Sequence, residues 1–99
     1  MSIQVELPPE LDDERRGELL AAEAARAAEL AEAGLLVRLW RVPGRLANRG
    51  VWDVPDATQL HAALTSLPLW PWMRIDVEPL ACHPSDPLWR ARHPEAVGG

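Results

Sequence analysis

Lysine, phenylalanine and tyrosine are absent from this 99-residue chain, and cysteine occurs once. With no lysine, all ten cations are arginines, and any task that needs a positive side chain falls to a planar guanidinium. The lone Cys82 excludes an intrachain disulfide and a cysteine zinc cluster. Long apolar runs are missing too, since Arg, Glu or Pro interrupts each within a few residues, so no transmembrane helix is expected. Met1 to Pro8 has neither the basic start nor the apolar core of a secretory signal, and the expected location is the cytoplasm. Basic excess is lacking as well: a net charge of −5 and a pI near 5.1 speak against a nucleic-acid partner, which is held through cationic patches.

What remains is an ordinary globular composition, 47% hydrophobic and 25% charged. The length suffices for one domain, so a substrate pocket has to be shallow or completed by a second subunit. Residues 1–85 read as that domain and 86–99 as a Pro-rich tail.

Ile3, Val5 and Leu7 alternate with Gln4 and Glu6 as in a half-buried strand, which Pro8 and Pro9 stop. Asp12 is a helix N-cap with Asp13 and Glu14 in the first turn, and the Ala-rich run that follows ends at Gly34. Leu19, Leu20, Glu23, Ala27, Leu30 and Ala31 form its inward stripe, in which Glu23 is the one charged member. Leu36 to Val42 reads as a second strand, with Val37, Leu39 and Arg41 on one face and Arg38 and Trp40 on the other. Pro43 and Gly44 open a turn into a third strand containing Val51, Trp52 and Val54. Asp56 caps a second helix with Ala57, Leu60, Ala63, Leu64 and Leu67 inward and His61 at the border. Met73, Ile75 and Val77 mark a last strand, after which prolines predict an irregular tail.

The order βαββαβ predicts an α+β, ferredoxin-like fold, a four-stranded antiparallel sheet with both helices on one face. Its other face needs a cover. A second copy is the simplest one, and five tryptophans are more large apolar surface than so small a core readily hides, which predicts a homo-oligomer.

Leu39-Trp40-Arg41, Gly44, Ala47-Asn48 and Trp52-Asp53-Val54 resemble the signature of the muconolactone isomerase family. So do Leu60-His61, the run Leu67-Pro68-Leu69-Trp70-Pro71-Trp72-Met73, and Leu80 with His83-Pro84. The resemblance implies subunits of the dimeric α/β barrel type, assembled as dimers and a ring-like decamer. It also implies a cofactor-independent proton shift on an unsaturated lactone acid, muconolactone to 3-oxoadipate enol-lactone, in aromatic catabolism. A divergent isomerase or cyclase acting on a natural-product intermediate, or a non-catalytic ligand-binding oligomer, is the alternative.

Such chemistry needs a base near carbon, donors for a developing oxyanion and a cation for a carboxylate. Glu23 stands where the family has its helix glutamate and is the candidate acid/base; read as structure, it is a boundary residue whose head reaches water. His61 is the second candidate. Arg41 and Arg45 are candidate carboxylate anchors, Trp40 a candidate wall and Asn48 a candidate oxyanion donor, against the plainer readings of surface ion pairs, packing and turn formation. His61, His83 and His93 lack metal-ligand spacing, and no metal is expected. One turn before its glutamate the family has a lysine, where this chain has Leu20.

Overall fold

Two aspartates fix where the main helices start. In the computed structural model, which describes residues 1–94, Asp12 accepts the Arg15 N–H at 2.7 Å and Asp56 accepts the Gln59 N–H at 2.8 Å. Each carboxylate satisfies a first-turn donor that the helix itself leaves free. Helix α1 spans Asp13–Glu32 and α2 spans Ala57–Thr65. Gly34, at φ +82°, turns the chain out of α1 through a left-handed setting that a side chain would resist. Arg26 of α1 ties the helices together, its Nε donating to Ser66 Oγ at 3.0 Å just past the end of α2.

The strands are β1 (Ser2–Val5), β2 (Leu36–Arg41), β3 (Ala47–Trp52) and β4 (Met73–Asp76). They form one sheet in the order β2-β3-β1-β4, with every neighbouring pair antiparallel. Together with the two helices this is the expected ferredoxin-like βαββαβ arrangement. The strands stop short of their sequence patterns, at Val5 rather than Leu7 and at Asp76 rather than Val77, because alternation continues into residues that have no strand beside them. A 3-10 turn, Trp70–Trp72, leads into β4. The tail is less irregular than its prolines predict. Asp86 caps a short α3 (Pro87–Arg92), and Pro87 sits in its first turn, where a missing N–H costs no hydrogen bond. Residues 95–99, the end of the Pro-rich tail, lie outside the described residues.

Register decides which side chains face the helices. Ile3 lies opposite both Asn48 and Ile75, and Arg41 lies opposite Asn48, so these four share a face. A bulge at Val37 shifts the register between Leu36 and Arg38 and brings Leu36 to the side of Leu39 and Arg41. On this face Ile3, Leu30, Leu36, Ala63, Leu64 and Leu67 form the buried core. The opposite face exposes Gln4, Arg38, Trp40, Arg49, Val51 and Arg74, with Ala47 buried among them. There the Arg38 guanidinium lies 4.7 Å over the Trp40 ring.

Candidate active site

Beside the core, between the middle of α1 and the sheet, lies an open cavity of about 470 Å³. Leu20, Glu23, Ala24 and Ala27 of α1 line one side, and strand residues including Val5, Arg41, Asn48 and Met73 line the other, with Leu69 at the edge. The helical spacing of the inward stripe delivers Glu23 here, one turn after Leu19 and Leu20 and one before Ala27. Its carboxylate is half-buried. Glu23 Oε1 accepts the backbone N–H of Leu69 at 2.9 Å. That donor is forced on the fold: Leu69 is buried, its N–H needs a partner, and Pro68 just before it has none to offer. The second carboxylate oxygen has no hydrogen-bond partner among the described residues.

Burial raises the Glu23 carboxyl above the usual carboxylate range, and the Leu69 N–H opposes this with a smaller downward pull. Among the described residues no salt bridge reaches the group. A carboxylate that is desolvated, fixed by one oxygen and free at the other is suited to taking a proton from a weak carbon acid.

Asn48 and Arg41 complete the polar part of the lining. Asn48 Oδ1 is buried without a partner, the one such side-chain atom found among the described residues. A buried, unengaged amide in a cavity wall is available to a ligand, and turning the head exchanges its oxygen for N–H donors. Arg41, cross-strand from Asn48, is exposed and makes no salt bridge among the described residues, which leaves its guanidinium able to meet an anion. Trp40 is also in the lining. Its pairing with Arg49 and its contact with Arg38 nevertheless assign its ring to the open sheet face, so what it offers the cavity is backbone.

The structure does not bring the other two candidates to this place. His61 is exposed on α2, outside the lining, and the contact of note is its carbonyl, which accepts Thr65 Oγ1 at 2.9 Å. Arg45 is exposed in the β2–β3 turn and is also outside the lining. Sequence reasoning missed the Leu69 N–H. A backbone donor has no residue-type signature, and the flanking prolines were the available hint that this N–H would need a side-chain partner.

The family model for muconolactone delta-isomerase matches residues 1–86. The chain belongs to the muconolactone delta-isomerase family. Among relatives of that name, the protein of Rhodococcus opacus is 39% identical over 84 residues, covering 85% of this chain and 90% of its own. That of Cupriavidus pinatubonensis is 40% identical over 83 residues, covering 84% and 90%. A crystal structure of muconolactone isomerase superposes with a TM-score of 0.79 at 40% identity, covering 87% of this chain and 90% of that one. The muconolactone delta-isomerase match ends at residue 86, the residue that caps α3, so α3 itself lies beyond the shared region. Among the described residues no helix is long and apolar enough to cross a membrane.

Proposed function

We propose that this chain is a muconolactone delta-isomerase, converting muconolactone to the 3-oxoadipate enol-lactone as part of aromatic catabolism. The observation that carries the reading is Glu23: a half-buried carboxylate with one oxygen held by the Leu69 N–H, in a cavity that also contains Asn48 and Arg41. The free oxygen of Glu23 takes the proton from the ring carbon that bears the acid arm and adjoins the ring oxygen. The electron pair left behind spreads through the ring onto the carbonyl oxygen, giving a 2-oxyfuran-like anion that a modest base can generate. Asn48, its amide turned to present N–H, stabilises that oxyanion. Arg41 holds the carboxylate of the acid arm in a two-pronged grip. Glu23, now protonated, returns the proton to the carbon next to the carbonyl, so the double bond moves and the residue regains its charge.

Muconolactone in the small-molecule site and a homo-oligomer as the working form belong to the same reading; the exposed sheet face supports the second. The test is direct. Purified protein incubated with muconolactone is expected to form enol-lactone, followed by absorbance, and Glu23→Gln is expected to lose about 10²–10⁴ in rate, the usual effect of removing a general base. Absence of turnover, or a fully active Glu23→Gln enzyme, contradicts the proposal.

A further inference from the structure

The cavity combines three charged or polar side chains, Glu23, Arg41 and Asn48, with a larger set of apolar ones. Arg41 lies on β2, Asn48 on β3, Val5 on β1 and Met73 on β4, so the lining runs across the sheet from cation to hydrocarbon. Three strand spacings separate its sides, about 14 Å. The apolar side is consistent in its parts: Val5 pairs with Met73, and the Val5 N–H donates to the Leu46 carbonyl at 2.9 Å, which brings these three to one end of the sheet. Leu20, one turn N-terminal to Glu23, roofs that end, because α1 starts where β1 finishes. Of the polar side chains in the lining, Glu23 stands one turn from Leu20 and Asn48 two residues from Leu46, while Val5 and Met73 pair with each other. A lactone ring whose acid arm is held at Arg41 covers about half of the width, given bond lengths near 1.5 Å. Its far side then faces Leu20, Leu46, Val5 and Met73, four of the apolar side chains of the lining.

We propose that the preferred substrate is a lactone acid with an alkyl group on the ring, seated among Leu20, Leu46, Val5 and Met73, with Leu20 as a specificity-determining residue. This rests on the reading of the site as a lactone isomerase. The substituent has one position that leaves the chemistry untouched, the ring carbon between the carbon that loses the proton and the carbon that regains it. There an alkyl group displaces water from an apolar surface, and one carbon in such a pocket is worth about 10-fold or more in kcat/KM.

The experiment compares muconolactone with its analogue methylated at that carbon, measuring kcat/KM for each with the wild-type chain, Leu20→Lys and Leu20→Ala, and adds the ethyl analogue for the wild type and Leu20→Ala. The wild type is expected to favour the methylated lactone by about 10-fold. Leu20→Lys, which brings an ammonium to the apolar end, is expected to remove or reverse that preference. Leu20→Ala, a milder change that guards against misfolding, is expected to shift preference from the methyl toward the ethyl analogue. Turnover of both lactones with muconolactone equal or better, or an unchanged ratio in Leu20→Ala, overturns the inference and leaves the proposed function standing. Turnover of neither overturns both.

Discussion

Glu23 holds its proton more tightly in the folded chain than in the unfolded one, because desolvation outweighs the Leu69 N–H. By linkage, its contribution to stability is therefore full below the unfolded carboxyl's pKa and is lost as pH rises through the raised folded value. Catalysis runs the other way, since only the ionised group can accept a proton from carbon. The acid limb of kcat/KM is expected to fall at a pH above that of an ordinary glutamate, and a limb in the ordinary range contradicts the assignment. Glu23→Gln, which can still accept the Leu69 N–H, is expected to raise Tm at neutral pH while abolishing most activity; a lowered Tm would show that the charge itself holds the fold. Arg41→Ala is expected to raise KM more than it lowers kcat, because its contact persists through the reaction. Glu23 stood out in the sequence because a charged residue interrupts an apolar stripe, and Arg41 and Asn48 because they lie in the stretch that resembles the family signature; their cross-strand pairing is visible only in the structure. Trp40 was only half legible: its strand was right, but alternation sends its ring to the far face.

Among the elements, those with strong periodicity and a capping aspartate were legible close to their ends. Asp12 and Asp56 are the N-caps that the sequence indicated. The bulge at Val37 was not legible, since in alternation alone Val37 shares a face with Leu39; the register shift instead gives that face Leu36, which is buried, and leaves Val37 exposed. Nor was α3, because four prolines in the tail masked a helix start that uses one of them at its first turn. Asp56→Ala removes the acceptor for the Gln59 N–H, which costs about 1 kcal/mol. In a domain of this size that lowers Tm by about 4–8 °C. Because α2 contributes Ala63 and Leu64 to the core but no residue to the cavity lining, Asp56→Ala is expected to keep its kcat below the transition. Thermal unfolding and kinetics on one preparation check both halves, and a loss of kcat at low temperature would tie α2 to the site.

At the scale of the whole molecule the chain is far from spherical. Its extents are 57 × 24 × 20 Å and its radius of gyration is 16.3 Å, against about 13 Å for a compact chain of 100 residues. The tail after β4 accounts for this. Val77 to Leu80 border a cleft beside Trp52 and Leu60, yet Leu80 is 78% exposed. Further on, the hydrogen bonds of His83, Ser85, Asp86, Arg90 and His93 stay within the tail, Trp89 stacks on His93 at 4.2 Å, and Leu88 is 73% exposed. Beyond the cleft, then, the tail is not held on its own domain by these bonds or by Leu80. Large apolar side chains held away from their own core are stabilised when another surface covers them, and the exposed sheet face needs a cover as well. A second copy supplies both at once. The wild-type chain is therefore expected to sediment as a dimer or larger at micromolar concentration, and a chain ending at Ala81 is expected to assemble less well and to show Leu-rich surface by dye binding no greater than the wild type. Assembly and activity unchanged by that truncation would show that the tail covers nothing, and a strictly monomeric wild type would remove the need for a partner altogether.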